Sequence, residues 1–265
     1  MVFTFKPDTP YLMPAHFGKH PLFTDVAHYE DTTNLMIPYV TDKDALASFL
    51  PKPLEPTDVP LVAVTCAVCK GVSFLGGGDY NFISINLAAV FNGQKDHVTG
   101  SYWAVLWEND TFPILLGREL LGAPKLYAEI PNPRQEDNNW SFYCTEYGTR
   151  LIKGEIKNTA PVDEATLKQL EERANARTII GWKYIPSPDL NGEEISFPTA
   201  VTNKRTLRQA WFGEGSVHFH RDTWEKIPVS SHIMEGLQRL VVKEYQLASI
   251  TKGSSDLMTK TRKLE

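Results

Sequence analysis

The chain has 265 residues, of which 42% are hydrophobic, 22% charged and 11% aromatic, a globular composition that excludes collagen-like, disordered and miniprotein classes. A chain of this length buries about three quarters of its unfolded surface, so it needs no disulfide or metal staple, and one or two domains fit. A net charge of −5, from 27 Lys plus Arg against 32 Asp plus Glu, lacks the basic footprint of a nucleic-acid binder.

In chain order, alternation of period two and enrichment in β-branched and aromatic residues predict a first strand over residues 34–40. A helix follows: Thr41 to Asp44 resembles a capping box, Leu46, Phe49 and Leu50 form an apolar stripe, and Pro51 ends it. Strands are then predicted over 61–69, 82–91, 102–107, 126–130, 140–147 and 151–156. Asn92-Gly93 and Asn132-Pro133 supply turn chemistry between them. Asp163 opens a second helix with Leu167, Leu170 and Ala174 on one face, and strands over 179–185 and 216–220 come next. A third helix is predicted from Ser231, with Ile233, Leu237, Leu240, Val241 and Tyr245 at helical spacing. The reading is α+β, a mostly antiparallel β-barrel with peripheral helices. Residues 1–252 form one domain, and 253–265 form a polar C-terminal tail that frays.

The longest stretch without Asp, Glu, Lys or Arg is residues 80–94, short of the ~20 apolar residues a membrane helix needs. The N-terminal eight residues lack a signal-peptide pattern, and three cysteines do not make a disulfide framework. A cytoplasmic protein is expected, with no membrane or nucleic-acid partner. Cys66 and Cys69 have metal or redox spacing, but only Cys144 could join them, so they read as buried strand thiols. His218 and His220 lack an identifiable third ligand, and Gly76 to Gly78 lacks the residues of a phosphate loop. No metal and no cofactor are expected.

The segment Leu116 to Tyr127 carries the chemistry. Pro124 fixes its own φ and biases Ala123 to an extended conformation, which places Lys125 rigidly at the start of a strand. Desolvation penalises an ammonium, and a neutral lysine amine attacks a ketone to form a Schiff base. Arg118 and Glu119 read as a neighbouring ion pair, with Glu119 orienting the lysine or relaying protons. Tyr80 and Tyr127 are candidate proton donors.

Gly117-Arg118-Glu119-Leu120, closed by Pro124-Lys125, resembles the active-site segment of the acetoacetate decarboxylase family. Ordered landmarks extend the likeness: Tyr39 with Thr41 and Asp42, Pro51 to Glu55, Phe91 to Gly93, Lys183 to Pro186, Ala210-Trp211, and Ile227 to Ile233. The resemblance implies a cone-like β-barrel, homo-oligomers, and Lys125 as the Schiff-base lysine acting on a small carbonyl or keto-acid substrate. It also implies departures. The family's second lysine is Leu126 here, its pocket arginine counts onto Thr32, and its pocket glutamate falls at or near Phe82. These losses argue against acetoacetate itself and for a more apolar substrate. Decarboxylation of another keto acid is the expected reaction. Aldolase or dehydratase chemistry through the same imine, or a non-catalytic small-molecule-binding barrel, are the alternatives.

Overall fold

The computed structural model describes residues 3–20 and 24–265; the first two residues of the N-terminal stretch lie outside it. Among these residues fifteen strands join in one sheet. In chain order they are β1 (Val26–Val40), β2 (Leu54–Pro56), β3 (Leu61–Val72), β4 (Gly78–Asn92), β5 (His97–Glu108), β6 (Lys125–Tyr127), β7 (Arg134–Glu136) and β8 (Asn139–Glu146), then β9 (Thr149–Pro161), β10 (Thr178–Pro186), β11 (Glu193–Val201), β12 (Asn203–Phe219), β13 (Glu244–Tyr245), β14 (Ala248–Met258) and β15 (Arg262–Lys263). Among the described residues four α-helices accompany them: α1 (Lys43–Ala47), α2 (Thr111–Leu116), α3 (Glu164–Ala176) and α4 (Ser231–Leu237).

The sheet order is β15-β11-β10-β5-β4-β3-β1-β14-β12-β9-β8-β7, and this path is not closed into a barrel. The two end strands are two and three residues long and exposed, and they do not pair with each other. The sheet is also mixed, because β5 runs parallel to both β6 and β10. A mostly antiparallel barrel is therefore corrected to an open, mostly antiparallel sheet with two parallel joins.

Alternation assigns the two faces. On one face Leu35, Ile37 and Tyr39 of β1, Val62, Val64 and Cys66 of β3, and Ile83, Ile85 and Leu87 of β4 are buried in the main core. Phe142, Leu151 and Ile152 from β8 and β9, and Leu46 and Met234 from α1 and α4, complete that cluster. On the other face Thr32, Asn34 and Met36, Ala63 and Thr65, and Phe82, Ser84 and Asn86 line a cavity. Cys66 and Cys69, three residues apart on a strand, thus fall on opposite faces. All three cysteines are free and buried.

Several expected elements change. Asp42, rather than Thr41, caps α1, accepting hydrogen bonds from the Asp44 and Ala45 amides. α4 ends at Leu237, and Tyr245 belongs to β13, which pairs with β1. The polar tail is corrected most: β14 lies between β1 and β12, and Leu264 is buried. Ser249, Thr251 and Ser255 face the cavity, which gives an interior strand the composition of a loop. α2 carries no expectation from sequence. No helix among the described residues is long and apolar enough to cross a membrane.

The core is tied to α4 by one buried polar contact. Trp107 Nε1 donates to Ser230 Oγ at 3.0 Å, and both residues have no exposed surface. Ser230→Ala leaves the indole N–H unpaired in the core, so the expected loss is about 1–3 kcal/mol in urea unfolding. A change below a few tenths would mean that the contact contributes nothing.

Candidate active site

Lys125 is held by the chain segment immediately before it. Asp110 caps α2 through the Phe112 amide at 2.8 Å, and the helix passes into a π-type turn over Gly117–Leu121. Gly122, at φ 71°, ends the turn in the left-handed region that glycine tolerates. Ala123 and Pro124 then turn the chain into β6, which pairs in parallel with β5 so that Lys125 stands beside Leu106. Arg118 fastens this junction, donating from Nη1 to the Lys125 carbonyl at 3.0 Å.

Pairing across six strands sets one row of side chains. Lys125, Leu106, Ser84, Thr65, Met36 and Ser249 are successive partners from β6 to β14, and all six line the cavity. The cavity volume is about 430 Å³, within the range of small-molecule sites. α3 closes one side, presenting Leu170, Arg173 and Ala174.

Within this cavity Lys125 is only 7% exposed. Its Nζ forms an ion pair with Glu108 Oε1 at 2.8 Å and donates to the Pro113 carbonyl at 3.0 Å. Glu108 is itself buried, and its Oε2 has no hydrogen-bond partner among the described residues. Burial pushes the Glu108 carboxyl above the usual carboxylate range, against the opposing pull of the Lys125 ammonium. Tyr80 lines the same space and shares a 3.3 Å hydroxyl contact with Tyr29; burial holds both phenols well above their ordinary range. Burial pushes the Cys69 thiol up to about 12, with Glu108 adding to the rise and Lys125 and Arg205 opposing it.

Gly117 is needed for a steric reason. A Cβ there would lie 2.7 Å from Lys125 Nζ and closer still to Cδ and Cε. The lysine stem crosses the helix end where only a glycine leaves room.

The structure brings together Lys125, Tyr80, Phe82 and Thr32. Glu119 is half-buried, does not line the cavity, and makes no hydrogen bond or ion pair among the described residues. The expected Arg118–Glu119 ion pair is absent among those residues, because Arg118 is turned to the Lys125 carbonyl. Leu126 packs against the main core on the other face of β6, and Tyr127 is 49% exposed. Glu108 carries no expectation from sequence; its one signal is an acid directly following the apolar run 103–107. Arg177 and Arg205 also reach the cavity unforeseen. The expectation of a pocket stripped of charges is corrected accordingly, since charges arrive from β5, β12 and the end of α3. His218 and His220 lie outside the lining with ring centroids 4.4 Å apart. Among the described residues no group of three or more His, Cys, Asp or Glu is arranged to hold a metal.

The family model described as acetoacetate decarboxylase matches residues 8–261. The chain is 33% identical over 213 residues to acetoacetate decarboxylase 1 of Bradyrhizobium diazoefficiens, covering 79% of this chain and 78% of that one. It is similar in fold to the crystal structure of acetoacetate decarboxylase from Legionella pneumophila, with a TM-score of 0.74, 18% identity, and 91% and 88% of the two chains covered. The enduracididine biosynthesis enzyme MppR, solved in complex with pyruvate, is similar at a TM-score of 0.69, with 16% identity and 92% of each chain covered.

Two expectations follow from the geometry. Gly117→Ala displaces the lysine stem while leaving the fold in place. Modification of Lys125 by an amine-directed carbonyl reagent, read by peptide mass spectrometry, should then fall at least tenfold with little change in circular dichroism; wild-type labelling would show that the close approach is unimportant. The second concerns pH. Because the folded state raises the Glu108 carboxyl, its contribution to stability is complete below the ordinary value of 4.5 and is lost as pH rises through the higher folded value. Lys125→Met removes the opposing ammonium, so its unfolding midpoint should fall more steeply with rising pH than that of the wild type. Adding Glu108→Gln should flatten that profile; parallel profiles in all three proteins would contradict this.

Proposed function

The chain belongs to the acetoacetate decarboxylase family, and from that premise we propose that it is a lyase whose Lys125 amine forms an imine with a keto acid. Decarboxylation of a substrate other than acetoacetate is its default reaction. The observation that carries the reading is the buried Lys125–Glu108 pair facing the cavity at 2.8 Å.

Glu108 accepts a proton from the Lys125 ammonium, a transfer suited to a carboxyl that burial raises. The free electron pair of Nζ adds to the substrate carbonyl carbon. The carbonyl oxygen becomes a hydroxyl and leaves as water, using the proton that Glu108 holds, and a protonated imine remains. With a 3-oxo acid the carboxylate sits on the carbon next to the imine carbon; that carbon–carbon bond then breaks, its electrons pass into the imine to give an enamine, and CO2 departs. Protonation of the enamine carbon and hydrolysis of the imine return the lysine. Glu108 takes the proton-relay role that the sequence suggested for Glu119. Tyr80, kept protonated by burial, is the proton donor in this reading, and Thr32 and Phe82 are substrate contacts. Arg118 is a positioning residue that acts through the Lys125 carbonyl. Leu126 and Tyr127 drop out of this reading, the first core-facing and the second exposed.

Retro-aldol or dehydration chemistry is the second reading. It uses the same imine, and the 430 Å³ cavity favours it by leaving room for a larger carbonyl compound. Assembly as a homo-oligomer, read by light scattering, is carried as part of the proposal.

Borohydride added during incubation with keto acids should trap a reduced adduct at Lys125, located by peptide mass spectrometry, and CO2 release then separates the two readings. Lys125→Ala should abolish the adduct and Glu108→Gln should lower kcat by roughly 10²–10⁴-fold. No adduct with any carbonyl compound would sink the imine reading and leave a small-molecule-binding protein.

A further inference from the structure

Arg205 and Arg177 line the cavity with no use in the reaction above. They are brought together by an edge. β12 pairs with β9 only from Trp211 onward, so the other edge of residues 203–210 is free of strand partners while β14 holds the opposite side. α3 covers that open edge. Asn175 Nδ2 donates to the Arg205 carbonyl at 2.9 Å, the Arg205 amide donates back to Asn175 Oδ1 at 2.7 Å, and Glu171 accepts from the Leu207 amide at 2.6 Å. This stitching fixes the backbone of Arg205 and places it beside Arg177, the residue at the C-terminal cap of α3.

Neither guanidinium has a hydrogen bond or an ion pair among the described residues. Arg205 is half-buried, Arg177 is exposed, and the two repel each other. A cation removed from water beside a second cation is costly unless an anion joins it. The carboxylate nearest in function, Glu108, is already taken by Lys125. Arg205 and Lys125 act on one cavity, since each opposes the rise of the Cys69 thiol.

We infer that Arg205 and Arg177 form a carboxylate subsite, and that the carboxylate bound there is one the reaction keeps. The inference rests on imine formation at Lys125 and adds the substrate class. Decarboxylation moves negative charge from the departing carboxylate into the imine, so a cation pair on that carboxylate stabilises the ground state and opposes the reaction. The same pair on a second, spectator carboxylate orients the substrate without that penalty. The substrate class is therefore an oxodicarboxylate, with its carbonyl at Lys125 and its retained carboxylate at the arginines. Arg205 and Arg177 replace, from different elements, the positive charge missing at Thr32.

The test separates the two layers. Calorimetric titration of the Lys125→Ala protein with glutarate, which has no carbonyl, reads the subsite without imine chemistry. Glutarate should bind, glutaramide should not, and Arg205→Gln should weaken glutarate at least tenfold, with Arg177→Gln in the same direction. Arg205→Lys should recover part of the loss, and circular dichroism should show each variant folded. With Lys125 intact, borohydride trapping of 3-oxoglutarate should drop at least tenfold more on Arg205→Gln than trapping of a neutral ketone. If glutarate fails to bind, or binds equally to Arg205→Gln, the subsite is overturned. If glutarate binds as expected while no carbonyl compound is trapped at Lys125, the imine reading fails and the anion site stands.

Discussion

The site depends on a single buried ion pair. Moving an ammonium and a carboxylate out of water costs several kcal/mol each, and only their mutual contact, with the Pro113 carbonyl as a further acceptor, makes the arrangement tolerable. Much of the local architecture serves that contact. The parallel join of β6 to β5 places the two residues side by side, the π-type turn aims the lysine, and Gly117 leaves a lane for its stem. The second oxygen of Glu108, Oε2, has no partner among the described residues. The pair is thus half-satisfied, the feature on which the proposed proton transfer rests.

A sheet with two faces divides stability from chemistry. One face is packed with Leu, Ile and Val and holds the core; the other carries small polar residues over a cavity. Alternation lets each strand serve both tasks, since successive side chains point opposite ways. The Trp107–Ser230 contact sits among the core residues, while Leu106 and Glu108, on either side in sequence, line the cavity.

Much of this was legible in the sequence where local physics dominates. Period-two runs located the central strands, Asp163 located the start of α3, and Pro124 marked Lys125. Pairing between distant segments was less visible. Glu108 and Lys125 are separated by α2 and the π-type turn, which the composition of residues 111–121 did not announce. β14 and the first half of β12 were missed because their cavity-facing positions hold Ser, Thr, Asn and Arg, the residues that otherwise signal loops. For the same reason the cavity read as apolar. The positions where a relative keeps its charges are uncharged here, and the fold supplies charge from other elements.

The placement of Cys69 on the cavity face has a chemical consequence. A thiolate beside a bound carbonyl compound would add to it as readily as an amine, giving a thiohemiacetal that leads nowhere. Burial keeps this thiol protonated far past neutrality, and a neutral thiol is a poor nucleophile. Cys66 and Cys144 are removed from competition more simply, by facing the core. The cavity therefore holds an amine and a thiol, and desolvation keeps the thiol neutral and weakly nucleophilic, so under the imine reading the nitrogen is the group that reacts.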